Sequence, residues 1–202
     1  ANYTGIEQLH TGIELDAVWN ISPFVKLEGM LTLGNYEYGS NSTDDNVTNN
    51  DGVSIGSSTL YLDGIKVGDG GQTTGRLNLT VFPTSDFKFN LALFGADNIF
   101  SNINAEDFDE PDGGNAQLPE YKLFDFGAGY NFDLFGNNAY LRLNINNVFD
   151  EEYYPEMENN YLATDDSTNY MGINTANRIF PGWGRTWNVG LTYRFEVFSI
   201  LL

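Results

Sequence analysis

Residues 124–146 read FDFGAGYNFDLFGNNAYLRLNIN, and this stretch carries the pattern that decides the fold. Apolar and polar side chains alternate in its first part and alternate again in its last part. Period-two alternation predicts β-strands, each with one apolar and one polar face. The intervening Gly136-Asn137-Asn138 is a turn sequence, so the stretch predicts two antiparallel strands joined by a tight hairpin.

The same alternation recurs along the chain, whereas helical periodicity is hard to find in any part of it. It predicts seven strands, whose alternating apolar residues begin near Ile13, Val25, Leu77, Phe87, Phe124, Ala139 and Trp187. Short breaks at 22–23, 83–86 and 136–138 alternate with long polar loops at about 39–72, 100–117 and 150–182. We expect part of the first long loop, Ser57 to Val67, to form a hairpin arm.

This alternation of short and long connections is typical of a membrane barrel. Bacterial outer-membrane barrels have short periplasmic turns and long extracellular loops. The expected fold class is therefore all-β, an antiparallel transmembrane β-barrel in which residues 1–195 supply about seven C-terminal strands and residues 196–202 form a tail. The alternatives are a passive porin-type channel and a soluble carbohydrate-binding β-sandwich, whose strands also alternate.

The composition excludes several classes of function. The chain has 28 acidic and 9 basic residues, a formal charge of −19, and nucleic-acid binding instead needs stripes of Lys and Arg. Cys is absent, so the sequence offers neither a disulfide framework nor a thiolate metal site. No apolar run approaches the roughly 18 residues that indicate a transmembrane helix.

A barrel wall of seven strands needs completion. Bacterial single-chain barrels have an even number of strands, and an open sheet would leave unpaired backbone groups in lipid. The chain also begins with Ala rather than with Met or a signal peptide. We therefore expect it to be a piece of a longer polypeptide that supplies the remaining strands.

Two motifs near the C-terminal end resemble those of TonB-dependent outer-membrane receptors. Residues 144–154, NINNVFDEEYY, are similar to the family segment N-x-x-N-L-F-D-x-x-Y, with Val148 in place of the commoner Leu. Residues 184–195, GRTWNVGLTYRF, resemble the family's last strand, G-R-x-x-x-x-G-L-x-Y-x-F. The segments GIEL at 12–15 and GIKVG at 64–68 fit the same order, so the resemblance covers essentially the whole chain.

The resemblance implies a barrel of about 22 strands that holds an N-terminal plug. Receptors of this family import scarce nutrients such as iron chelates, cobalamin or glycans across the bacterial outer membrane, driven by the inner-membrane TonB complex. The implied partners are outer-membrane lipid and lipopolysaccharide, the rest of the barrel, the plug, TonB through the absent N-terminal region, and a surface lipoprotein as a candidate. A barrel-assembly signal is implied at Gly190, Tyr193 and Phe195, although this chain continues past the aromatic residue on which such barrels usually end.

The candidate site residues are aromatic rather than catalytic. The sequence shows no catalytic constellation and no metal-ligand spacing, so we predict a protein without enzymatic activity and without a cofactor. Aromatic residues in the last long loop are candidates for stacking on a sugar or a chelate: Tyr153, Tyr154, Tyr161, Tyr170 and Trp183. The alternative is that these side chains pack the loop on its neighbours or belong to an interfacial girdle.

Two further features carry less weight. His10 is the only His and has no partner His or Cys, so we expect a polar strand residue rather than a metal ligand. Three acidic segments offer carboxylates to Ca²⁺, but none has the spacing of an EF-hand loop and a solvated surface is favoured: Asp44-Asp45, Glu106 to Asp112 and Asp150 to Glu158.

Overall fold

The computed structural model describes residues 3–68, 70–104, 107–111 and 113–195. Within this part of the chain every regular element is a β-strand, and no helix is long and apolar enough to cross a membrane. The strands are β1 Gln8–Ser22, β2 Val25–Tyr38, β3 Ser42–Thr48, β4 Ser54–Leu60, β5 Gly71–Val81, β6 Phe87–Phe100, β7 Gln117–Leu118, β8 Tyr121–Leu134, β9 Asn137–Asn146, β10 Glu156–Met157, β11 Asn169–Tyr170, β12 Ile173–Asn174, β13 Ile179–Phe180 and β14 Thr186–Tyr193. The expected tail, 196–202, lies outside the described residues.

The long strands form one antiparallel sheet in the order β1-β2-β5-β6-β8-β9-β14, with the short β7 added to β6. Each of the seven strands expected from the sequence overlaps one of these long strands. Each long strand after β1 pairs antiparallel with the long strand that precedes it in the chain. The prediction of an all-β antiparallel fold is confirmed. In the described part of the chain this sheet is open, with β1 and β14 at its edges.

One face of the sheet is apolar across its whole width. A single row of directly opposed residues crosses all the long strands: Trp19, Leu27, Leu79, Leu91, Phe126, Ile145 and Trp187. Large side chains on this face remain open to the surroundings, with Ile13 60%, Leu15 58% and Val189 58% exposed. Contiguous apolar surface of this kind marks an interface with lipid or with another protein layer.

The opposite face is polar and carries its own charge pairs. Lys26 lies 2.7 Å from Glu28, whose carboxylate also accepts a hydrogen bond of 3.0 Å from Asn78. Arg76 and Asp125 approach to 4.0 Å across the sheet. Because successive side chains of a strand point to opposite faces, the period-two sequence pattern produces these two faces directly.

The position predicted for the hairpin arm, residues 57–67, is wrong. The hairpin in the first long loop is built from β3 and β4, so only the first part of the expected arm belongs to a strand. Residues after β4 return to the main sheet, where Lys66 bridges to Glu37 and its ammonium group lies 2.9 Å from that carboxylate. The residues of β3 are almost all polar, so apolar–polar alternation does not predict a strand there.

Buried apolar residues gather where the long loops fold onto the end of the sheet. One cluster joins the end of β6 and the short β7 to the last two long loops: Ala96, Ile99, Ala116, Leu118, Tyr154, Met157 and Ile173. A second cluster joins the first two long loops: Tyr38, Leu60, Leu62, Ile65 and Phe108. The chain therefore builds its core within the loops at one end of the sheet rather than between two stacked sheets.

Candidate functional site

The described residues of the three long loops form a continuous cap, defined here as residues 39–68, 70, 101–104, 107–111, 113–116 and 147–185. The first loop meets the second through a backbone hydrogen bond of 2.8 Å from Tyr61 N–H to the carbonyl of Phe108. The second meets the third through a bond of 2.9 Å from Asn102 N–H to the carbonyl of Met157. Because backbone groups join the loops, the cap has a defined surface on which a ligand site can be built.

Asn147 anchors the third loop to the end of the sheet. Its side chain is buried, accepts a hydrogen bond of 2.8 Å from Glu151 N–H, and donates bonds of 2.9 Å to the Glu151 carbonyl and 3.3 Å to the Trp183 carbonyl. Its own N–H donates to the Asp125 carboxylate at 2.9 Å. Asn147 is thus a positioning residue. In the sequence it was recognisable only as the second Asn of the N-x-x-N motif, and its anchoring contacts were not predicted.

Asn160 ties the second and third loops together. Its buried side-chain oxygen accepts hydrogen bonds from the Ser101 hydroxyl at 2.8 Å and from Ala116 N–H at 2.6 Å. Its amide nitrogen donates to the Gly114 carbonyl at 2.8 Å. Nothing in the local sequence identifies this Asn, because its partners lie in a different loop.

Tyr153 packs the third loop onto the sheet rather than projecting freely. Its ring centroid lies 4.5 Å from that of Tyr121 at the start of β8. Its carbonyl accepts a bond of 2.8 Å from Gly182 N–H, and a Cβ placed on Gly182 would overlap the Tyr153 ring. The absence of a side chain at Gly182 therefore allows this packing.

Tyr154 and Tyr170 converge on one carboxylate. Tyr154 is only 7% exposed and donates a short hydrogen bond to Glu152, while the Tyr170 hydroxyl lies 3.3 Å from both oxygens of the same group. The bond to Glu152, together with burial of the phenol, raises the pKa of Tyr154 to about 12. Tyr154 is thus part of the loop core, and Tyr170, at 48% exposure, is the accessible member of the pair.

Tyr161 lies at a crevice of about 340 Å³ between the second and third loops. Asn177 fixes its backbone, accepting from Tyr161 N–H at 2.9 Å and donating to its carbonyl at 2.8 Å. Amides, aliphatic side chains and a glycine form the rest of the lining: Asn115, Ala116, Gln117, Leu162, Ala163, Gly172, Ile173 and Asn174. Such a mixture of neutral hydrogen-bonding groups and one aromatic ring suits an uncharged polar ligand.

Trp183 stands apart from the other candidates, since the residue is 83% exposed. The structure therefore does not bring the five aromatic residues into a single site. Tyr153 and Tyr154 hold the loop in place, whereas Tyr161, Tyr170 and Trp183 present accessible rings on the cap. A role in ligand binding stays a prediction for these residues.

His10 lies on the polar face of β1, 3.3 Å from Gln8 and stacked on Tyr36 with ring centroids 4.6 Å apart. Among the described residues no group of three or more His, Cys, Asp or Glu side chains is arranged to hold a metal ion. Glu106 and Asp112, which bound one of the acidic segments considered for Ca²⁺, lie outside the described residues.

The residues of the expected assembly signal lie in or next to the edge strand β14. Tyr193 accepts a hydrogen bond of 3.0 Å from Asn137 and its ring lies 6.0 Å from that of Phe195, which is 66% exposed. Gly190 lies opposite Arg142 in β9. Their role in assembly stays a prediction.

These features define a class of fold, a single-layer antiparallel meander with one apolar face, one polar face and a cap of long loops. No protein-family model and no curated protein matches the sequence. Among solved structures, the chain is similar to the ferric-catecholate import receptor Fiu from E. coli K12, in its closed form, with a TM-score of 0.55 and 18% identity. The match covers 94% of this chain but 21% of that receptor's chain, and it shows a shared fold.

Proposed function

We propose that this chain is part of the wall and cap of a TonB-dependent receptor in the bacterial outer membrane. In this proposal the apolar face of the sheet contacts lipid, the polar face lines the barrel interior, and the cap faces outwards. Strands outside this chain complete the barrel along the free edges of β1 and β14. The receptor imports a scarce nutrient, an iron chelate, a cobalamin-like compound or a glycan, without chemical change to it.

The exposed apolar face is the observation that carries this proposal. A soluble sandwich would cover that face with a second sheet, but every other sheet in the described part of the chain has two strands. In lipid, apolar side chains at the surface are favourable and a closed sheet satisfies its backbone groups internally. The structural likeness to an import receptor supports the same interpretation.

The cap supports a ligand-capture role for the end with long loops. Tyr161 and Tyr170 are about half exposed at 47% and 48%, and Trp183 is more exposed, so all three rings can stack on a ligand. The described cap carries many carboxylates and few cations, which disfavours polyanions electrostatically. We therefore propose that neutral nutrients are preferred, with the crevice at Tyr161 as the first contact.

Uptake by cells that express the full-length protein tests this function. We expect the protein in detergent-extracted outer membranes, and we expect uptake of its nutrient to stop in cells that lack TonB. Uptake that continues without TonB would instead identify a passive porin. Recovery of the full-length protein from the soluble fraction would contradict the membrane assignment and favour a soluble sandwich.

A further inference from the structure

Three oxygen-bearing side chains of the third loop meet at one point of the cap. The Tyr154 hydroxyl donates a short hydrogen bond to Oε1 of Glu152, and the Tyr170 hydroxyl lies 3.3 Å from both oxygens of that carboxylate. The two phenols also interact with each other, since a hydrogen bond with Tyr170 adds to the dominant one with Glu152 in raising the pKa of Tyr154. We call Glu152, Tyr154 and Tyr170 the tyrosine–carboxylate cluster.

Packing of the third loop positions both rings of this cluster. Tyr154 belongs to the buried apolar cluster at the end of the sheet, which also contains Ile173 of β12. Ile173 pairs with Tyr170 across the β11–β12 hairpin, so the same core holds the hairpin that carries the second ring. Glu152 is exposed and Tyr170 is 48% exposed, which leaves one side of the cluster open. The cluster is therefore both preorganised and accessible.

The spacing of the oxygen atoms suits a single metal ion. Metal–oxygen bonds of about 2.0–2.1 Å in an octahedral site place adjacent donor oxygens roughly 2.9 Å apart. The Tyr170 oxygen lies slightly farther than that from the carboxylate, and the Tyr154 oxygen lies closer, so small adjustments bring all of them to one ion. The protein then supplies three or four oxygen donors and leaves the remaining positions to water.

The donor set selects a small cation of high charge. Carboxylate and phenolate are hard oxygen ligands, and tyrosine is a known ligand of ferric iron. A phenol binds a metal only after its proton has left to water, and a bound cation drives that loss more strongly as its charge density rises. Ca²⁺ prefers carboxylates, carbonyls and water, and Zn²⁺ prefers nitrogen and sulfur. One carboxylate and two phenolates carry three negative charges, which balance those of Fe³⁺.

We propose that the tyrosine–carboxylate cluster is a ferric-ion site, in which Glu152 and the phenolates of Tyr154 and Tyr170 bind Fe³⁺ directly. The inference goes beyond the import proposed above and does not depend on it. Binding releases one proton from each phenol and leaves the oxidation state of the iron unchanged. The acidic cap favours the approach of a cation. Ligand spacing in the sequence does not reveal the site, because its donors include no His or Cys and come from separate parts of the loop.

Visible absorption of the full-length, detergent-purified protein tests this site. Iron is supplied as ferric nitrilotriacetate, which keeps Fe³⁺ in solution. Coordination by tyrosine is detected as the ferric–phenolate charge-transfer band, which the chelate alone does not have. We expect this band to saturate at a single iron per protein. An excess of Ca²⁺ or Zn²⁺ should leave the band in place, and displacement by either ion would overturn the ferric assignment.

Substitution of the donors supplies the second arm of the experiment. Tyr170→Phe keeps the exposed ring and removes its oxygen, and Glu152→Gln removes the charge. Each should weaken iron binding by at least about 100-fold, because loss of even an outer partner of a metal ligand costs about 10–100-fold. The matched controls Tyr61→Phe and Glu151→Gln change a tyrosine and a carboxylate of the cap outside the cluster, and they should leave the band unchanged. Far-UV circular dichroism verifies that every variant retains its sheet.

The outcomes separate this site from the proposed import. A folded protein without the band, or with a band that either donor substitution leaves undiminished, would overturn the ferric site, identify any bound iron as an adventitious ion only, and leave the import proposal standing. A band that both donor substitutions remove and both controls keep would support the site, whatever the test of TonB-dependent uptake shows.

Discussion

Asp150 and Arg185 show at the residue scale why the two C-terminal motifs occur together. The Asp150 carboxylate accepts a bond of 2.6 Å from Arg185 N–H, and the Arg185 guanidinium donates to the Val148 carbonyl at 3.3 Å. Asp150 has φ of 60°, a left-handed conformation that Asp tolerates better than most residues. The motifs therefore close the two ends of the third loop against each other.

Asn147→Ala should loosen the third loop. The substitution removes the acceptor for Glu151 N–H and the donor to two carbonyls, and it places Ala at φ of 49°. Loss of an ordinary hydrogen bond costs about 1 kcal/mol, and the amide of Glu151, an exposed residue, should exchange hydrogen correspondingly faster. Asn50→Ala, at an exposed position, is the control. Equal exchange in both variants would contradict the anchoring role of Asn147.

Tyr154 should ionise at a higher pH than an ordinary tyrosine. Its pKa is raised from 10.0 to about 12, so the neutral phenol is favoured in the folded loop. The stabilisation is present in full below pH 10.0 and is lost as the pH rises through about 12. In absorbance titrations at about 295 nm, wild type minus Tyr154→Phe should show one phenol ionising near pH 12. A difference curve centred at the ordinary pKa would show that the Glu152 hydrogen bond is absent.

At the scale of elements, the long strands were predictable and the short strands were not. Apolar–polar alternation predicts a strand whose two faces lie in different environments, as in β8 and β9. The turn residues between them predict the hairpin. The strands β10 to β13 have two residues each, and they pair with one another within the third loop. The candidate aromatics were likewise found from the sequence, but their division into packed and accessible rings depends on partners such as Tyr121, which is distant in the chain.

Gly182→Ala tests how the third loop packs on β8. The added methyl group would overlap the Tyr153 ring and push it from Tyr121, and overpacking of this kind typically costs about 1–3 kcal/mol. We expect faster proteolysis of the third loop in Gly182→Ala. With Tyr153→Ala already present, the Gly182 change should have little further effect. A penalty of equal size in both backgrounds would show that the ring is not what restricts position 182.

At the scale of the whole molecule, the position of the core supports the proposed membrane assignment. Its buried clusters lie where the cap meets one end of the sheet, while the rest of the sheet leaves large apolar side chains exposed on one face. A sheet in water would expose that face at a large free-energy penalty, since each square ångström of apolar surface contributes about 25 cal/mol. In the proposed barrel, lipid would remove this penalty, and the strands would then need only the hydrogen bonds of their neighbours.

Adjacent residues of β9 provide the test of this two-faced wall. Leu143 lies between Ala128 and Val189 on the apolar face, and Asn144 lies between Gly127 and Asn188 on the polar face. Arg on the lipid side of a barrel costs about 2–4 kcal/mol near the bilayer midplane, whereas the interior tolerates polar substitutions. In the full-length protein, Leu143→Arg should therefore lower the heat-modifiable folded fraction recovered from outer membranes, and Asn144→Arg should lower it much less. The reverse order would place the lumen on the apolar side, and equal losses would show that neither face contacts lipid.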